Sequence, residues 1–173
     1  MSSASRLFFA FWPDDQLAGR LGRIAGWCVH DAGGRKVPTR NLHLTLLFLG
    51  GVTATQQEAL EETASRLAIP PLTLTLGQVE FWPRAKILCL TSDDDPPDPG
   101  LLELVDALRR SAKSQGLRVE DRPYRPHVTL ARKVNRLAEP PRVEPVTWSL
   151  EGLCLVESVP ERGRYRYRVL REW

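Results

Sequence analysis

The spacing of apolar side chains divides the chain into short strands and helices. Arg6 to Trp12 (RLFFAFW) is a nearly unbroken apolar run of strand length. From Asp14 the period changes, and Leu17, Leu21, Ile24 and Cys28 fall on one helical face. A polar, glycine-containing loop from Asp31 to Arg40 precedes a strand over Leu42 to Leu49, which Gly50 and Gly51 are expected to end. Thr55 and Glu58 have capping-box spacing and predict a helix with Leu60, Ala64 and Leu67 on one side, closed by Pro70 and Pro71. Leu72, Leu74 and Leu76 alternate with Thr73 and Thr75, and Ala85 to Thr91 is again apolar, which predicts two more strands. Asp98 can cap a third helix that starts at Pro99, buries Leu101, Leu104, Val105 and Leu108, and ends near Gly116. The last strands are expected over His127 to Arg132, Val146 to Val156 and Tyr165 to Leu170. In the final one Tyr165, Tyr167 and Val169 alternate with Arg164, Arg166 and Arg168. Strands interleaved with three helices make the class α/β-alternating or α+β.

One stretch breaks the pattern. Asp93 to Pro99 (DDDPPDP) is too charged and too rich in proline for regular structure, and its place near mid-chain makes residues 92–99 a natural seam between two halves. The composition, 42% hydrophobic and 26% charged over 173 residues, supports one buried core and excludes a disordered chain or a large multi-domain assembly. The longest early apolar run, Leu7 to Trp12, is far short of a membrane span and meets Pro13, Asp14 and Asp15 rather than a cleavage site, so a cytoplasmic protein with no membrane partner is expected. Cys28, Cys89 and Cys154 are widely spaced with no CxxC pair, which predicts small buried side chains rather than a disulfide framework or a zinc module.

The net charge of +3 conceals an asymmetry. Ile87 to Leu108 carries six acids and no base, whereas Arg109 to Arg142 carries ten bases against Glu120, Asp121 and Glu139, a local net of +7. That second segment is where a polyanion is expected to bind. With only four lysines, 20 of the 24 bases are arginine, a bias that suits bidentate phosphate contacts and that genome composition also produces.

Two of the three histidines sit in nearly the same words, NLHLTL around His43 and RPHVTL around His127, 84 residues apart. The shared pattern of His, apolar, Thr, Leu points to an internal duplication. On a strand, residues i and i+2 share a face, so His43 stands beside Thr45 and His127 beside Thr129, with Leu44 and Val128 turned into a core. If two halves pack about a pseudo-twofold axis, two imidazoles and two hydroxyls meet in one cleft. A tetrahedral phosphate fits such a set: one imidazole activates water, the other protonates the departing oxygen, and the hydroxyls hold the non-bridging oxygens. A metal site is the sharper rival, but neither motif has HxH or HExxH spacing and a third ligand would have to come from elsewhere. His30 lacks such a neighbourhood and reads as an ordinary histidine.

The paired HxTx motifs in a chain of this size resemble the two-histidine (2H) phosphoesterase superfamily. RLFFAF, NLHLTLLFLG, RPHVTLAR and LVESVP followed by YRYRVL are similar, over nearly the whole chain, to the LigT-like RNA 2',3'-cyclic phosphodiesterases, also called 2'-5' RNA ligases. The resemblance implies one α+β domain over residues 1–173, a bilobal duplicated fold with two antiparallel-rich β-sheets flanked by helices around a central cleft. The first motif would lie at 43–46 and the second at 127–130. It implies cofactor-free, metal-independent opening of a terminal cyclic phosphate to a 2'-phosphate, with His43 as proton donor, His127 as acceptor and Arg132 on the phosphate. Strict strand alternation objects to Arg132, because position 132 lies opposite in parity to 127 and 129. The same parity places Phe48 in the core rather than against a base. Tyr124, Arg122 and Arg125 either line the RNA approach or form an ordinary turn.

The leading expectation is a monomer acting on RNA with a 2',3'-cyclic phosphate end, able to run the reverse 2'-5' joining. The alternatives are hydrolysis of a small cyclic nucleotide such as ADP-ribose cyclic phosphate, or a non-catalytic RNA-end binder. Retention of two titratable groups argues against the last, since holding a phosphate does not require them.

Overall fold

A computed structural model describes residues 4–92, 94–161 and 163–173. Strand β1 (Ser5–Phe11) is the apolar run near the N-terminus, and it is buried from Leu7 to Phe11 because strands flank it on both edges. Helix α1 (Asp15–Ala32) begins where the Asp14 carboxylate accepts from the Leu17 amide at 2.7 Å, and it buries Leu21, Ala25 and Cys28. A short β2 (Arg35–Lys36) and a 3-10 turn (Thr39–Asn41) lead into β3 (Leu44–Val52). The strand does not stop at Gly50 and Gly51: pairing with β1 carries it through both to Val52, opposite Ser5.

Helix α2 (Ala54–Arg66) is capped by Thr53 rather than Thr55. Thr53 and Gln56 exchange the reciprocal bonds of the capping box, because the strand ends at Val52 and the chain turns into the helix at once. Strand β4 (Leu72–Trp82) and β5 (Ile87–Ser92) form a hairpin. The Asp98 carboxylate caps α3 (Pro99–Ser114), and β6 (His127–Arg132) follows. The single strand expected over Val146 to Val156 is two, β7 (Val146–Leu150) and β8 (Leu153–Glu161). Gly152, at φ +69°, turns the chain between them, and β7 pairs with β4 while β8 pairs with β1. The last strand is β9 (Arg164–Glu172).

The strands lie in the order β7-β4-β5-β6-β3-β1-β8-β9, with β2 beside β6, and every pairing is antiparallel. The mixed class, with three helices among the described residues, is as the sequence indicates. The antiparallel sheets expected of two halves are continuous through one bridge, Leu44 opposite Val128, with four strands of that order on either side and β2 as a ninth on β6. Each half repeats one unit: β1-α1-β3 on one side, β5-α3-β6 on the other. The proline-rich run joins β5 to α3 within one half, and Asp93 lies outside the described residues.

The two faces of the sheet differ. Leu7, Phe9 and Phe11 join the main core with residues of all three helices, while Phe8 and Ala10 point the other way into a small cluster with Cys154 and Val156. The site occupies that second face. All three cysteines are buried and free. Among the described residues no helix is long and apolar enough to cross a membrane.

Candidate active site

The bridge between the half-sheets sets the site. With Leu44 opposite Val128 in an antiparallel pair, the register brings His43 across from Thr129 and Thr45 across from His127. Leu44 and Val128 are buried in the main core, so the four polar side chains share the opposite face. Strand spacing and rise put the two histidine Cα atoms about 8 Å apart on the diagonal.

Each ring is fastened in the same way. His43 Nδ1–H donates to the Asn41 carbonyl at 2.7 Å and His127 Nδ1–H to the Arg125 carbonyl at 2.8 Å. A carbonyl only accepts, so Nδ1 carries the proton in both and Nε2 is left for chemistry. Asn41, itself 8% exposed, donates from its carboxamide to the Tyr165 carbonyl at 3.1 Å, which ties the His43 turn to β9.

Aromatic walls complete the mounting. The His43 ring is stacked on Trp12 (4.8 Å between centroids, 7° between planes), with Phe8 at 5.1 Å and Tyr167 edge-on at 5.2 Å. His127 packs on Trp82 at 4.5 Å. Glu80 holds that indole, accepting from its Nε1 at 3.0 Å and also from Thr91 Oγ1 at 2.8 Å and Arg125. Burial pushes the Glu80 carboxyl up, but these donors and the Arg125 charge together hold it below its ordinary value. Burial is also the main cause that lowers both imidazoles, His43 to about 4. The carbonyl bonds oppose it, and the Arg132 charge reinforces it at both rings. Sequence reading did not find Trp12, Trp82, Glu80, Tyr167 or Asn41. One signal was present: Phe-Trp-Pro occurs twice, at 11–13 and 81–83, and supplies both tryptophans.

The parity objection to Arg132 is removed by a β-bulge. Thr129 is opposite Cys89 and Ala131 opposite Leu88, which leaves Leu130 as an extra residue in β6. Leu130 and Ala131 are both buried, so alternation slips by one and exposed Arg132 returns to the face of His127 and Thr129. The other motif does the same. Leu46 is extra between Thr45, opposite Ala10, and Leu47, opposite Phe9. Phe48 therefore sits not in the core, as strict alternation predicts, but 61% exposed on the site face, 5.6 Å from the Phe8 ring. Phe48 and Arg132 are counterparts, each five residues after its histidine.

The loop before β6 divides between the two readings of it. Tyr124 lines a groove of about 550 Å3 beside His127, but its hydroxyl donates to the Thr45 carbonyl at 2.9 Å and so fastens the loop to β3. Arg122 pairs with Glu120 and Arg125 with Glu80. Arg109 and Lys113 of the same basic segment are paired with Asp106 and Asp121. Four of the ten bases between Arg109 and Arg142 are thus ion-paired, whereas Arg132 has no carboxylate partner among the described residues.

The sequence model of the 2'-5' RNA ligase superfamily matches residues 13–160. The chain is 36% identical to the RNA 2',3'-cyclic phosphodiesterase of Escherichia coli over 177 aligned positions, covering 100% of this chain and 98% of that protein. It is 30% identical to the protein of the same name from Thermus thermophilus, covering 88% and 81%. Among solved structures, the fold is similar to E. coli LigT complexed with 3'-AMP, with a TM-score of 0.89, 33% identity and coverage of 98% and 97%.

Proposed function

The chain belongs to the 2'-5' RNA ligase superfamily, and from that premise we propose that it opens RNA 2',3'-cyclic phosphate ends to 2'-phosphomonoesters by acid/base catalysis between His43 and His127. The observation that supports the reading is the antiparallel register of the two motifs, which puts an imidazole and a hydroxyl from each strand on one face of the sheet. The relatives' names supply the substrate class.

The cyclic phosphate lies between the rings, its non-bridging oxygens accepting from Thr45 and Thr129 hydroxyls and from the Arg132 guanidinium. His127 Nε2 takes a proton from water as the water oxygen bonds to phosphorus. On the opposite side the bond to O3' breaks and His43, which takes up a second proton at Nε2 when the phosphate anion binds beside it, donates that proton to the departing oxygen. The product carries phosphate on O2' and a free 3'-hydroxyl, and proton exchange with solvent resets the pair. The fixed Nδ1–H bonds serve both roles, because each ring then receives and donates only at Nε2. A 5'-hydroxyl in place of water gives the joining reaction through the same geometry. Both motifs belong to one chain, so we read residues 1–173 as one two-lobed domain whose site a single monomer supplies. Three free thiols fit a cytoplasmic setting.

The test is turnover of a short oligonucleotide ending in a 2',3'-cyclic phosphate, compared with the cyclic mononucleotide, with phosphorus NMR of the product. A 2'-phosphate is expected. A 3'-phosphate would show that O2' rather than O3' departs and would overturn the assigned orientation of the ribose, and no turnover of either substrate would remove the reading.

A further inference from the structure

We propose that the RNA strand bearing the cyclic phosphate runs from the catalytic centre into the basic groove between β2, the 3-10 turn and β9. The inference rests on the functional reading above and names the substrate path it leaves open.

The groove has a volume of about 740 Å3 and opens from the site itself, since Asn41, Arg132 and Tyr167 line it. Arg35, Lys36, Arg40, Lys133 and Arg164 also line it, and Glu161 is the carboxylate among its lining residues. Among the described residues none of these bases is ion-paired to a carboxylate, in contrast to Arg109, Arg122 and Arg125, three of the four bases that line the groove of Phe48 and Trp82. Their placement is specific. β2 pairs with β6 so that Arg35 is directly opposite Arg132, and the Val37 amide donates to the Leu130 carbonyl at 2.9 Å to hold that register. Like charges opposite one another destabilise a sheet. A phosphate seated between or beside them turns that repulsion into binding, which is what unpaired arginines in a groove are suited to do.

The chemistry gives the direction. If O3' departs toward His43, the ribose and the nucleotide on its 5' side lie on the His43 side of phosphorus. Asn41 holds His43 and Tyr167 packs on it, and both open onto the basic groove. His127 instead lines the groove of Phe48 and Trp82, from which water or a joining 5'-hydroxyl reaches phosphorus. Were the roles reversed, the strand would run through that second groove.

The experiment compares Arg35→Ser/Lys36→Ser with Arg84→Ser, a charge change on the rim of the second groove, with folding of each checked by circular dichroism. Two measurements are made: kcat/KM on a tetranucleotide ending in a cyclic phosphate against the cyclic mononucleotide, and anisotropy of a labelled tetranucleotide ending in a 2'-phosphate. In the double variant the tetranucleotide-to-mononucleotide ratio of kcat/KM should fall roughly tenfold, and the slope of log affinity against log salt should flatten by roughly 1.4 for two lost phosphate contacts. Arg84→Ser should move neither. A larger loss with Arg84→Ser, no loss in the double variant, or equal losses on both substrates would overturn the path. If the wild type turns over neither substrate yet the double variant still loses tetranucleotide binding and salt slope, the path stands and the catalytic reading falls.

Discussion

At the residue scale, His43 and His127 share one mounting but differ in surroundings, because His43 is enclosed by Phe8, Trp12 and Tyr167 while His127 faces a groove. Replacing either by Ala should lower kcat by roughly 10^2 to 10^4, the scale of a lost general acid or base, with a smaller change in KM. Steady-state kinetics on the cyclic mononucleotide checks this, and normal turnover by either variant would end the assignment. The His43 environment also has a stability consequence. In the unfolded chain an imidazole titrates near 6.5, whereas in the fold burial above all pushes His43 down to about 4. Between those values the unfolded chain binds a proton that the folded chain does not. The His43 contribution is therefore complete above about pH 6.5 and is lost as pH falls toward 4. Urea unfolding should show the wild type losing stability between pH 7 and pH 4.5, and His43→Gln losing less over the same interval. An equal loss would show that other groups control the acid limb.

At the scale of elements, the two bulges and one tether decide how the motifs face each other. The bulges at Leu46 and Leu130 return Phe48 and Arg132 to the site face. The Tyr124 hydroxyl, bonded to the Thr45 carbonyl, holds the approach to β6 against β3. Tyr124→Phe should cost about 1 kcal/mol of stability in urea unfolding, the net worth of one hydrogen bond, and should lower turnover more than binding because it loosens one motif against the other. Thr53→Ala gives the contrast. Loss of the α2 cap should also cost about 1 kcal/mol, but with unchanged kinetic constants, since α2 packs its buried Leu60 and Ala64 into the main core on the far side of the sheet.

At the scale of the whole molecule, charge is distributed by ion pairing rather than by position along the chain. The segment from Arg109 to Arg142 looks like the polyanion site in the sequence, yet four of its ten bases are paired among the described residues, and two of the others, Arg132 and Lys133, join bases from β2, the 3-10 turn and β9 in one unpaired field. Acid/base chemistry at two Nε2 atoms needs no Lewis acid, and among the described residues no three His, Cys, Asp or Glu side chains are grouped to hold a metal ion. Activity should accordingly survive dialysis against EDTA, assayed without added metal. Loss on chelation and recovery with zinc or manganese would favour the rival metal site.

The sequence alone determined what depends on neighbours a few residues apart. The cap at Asp98 was legible, as was the pairing of His43 with Thr45 and of His127 with Thr129 on one face, because a strand's period of two and a cap's hydrogen bonds are local geometry. The duplicated motif was legible as repeated words. Tertiary structure decided the rest. A bulge exists only against a partner strand, so no reading of β3 or β6 by itself could place Phe48 or Arg132. The cap at Thr53 rather than Thr55 follows from where pairing with β1 ends. Trp12, Trp82 and Tyr167 reach the imidazoles across turns and strands distant in sequence, and whether an arginine is free depends on which carboxylate the fold brings to it. Such contacts depend on distance in space, which the order of residues sets only through the completed fold.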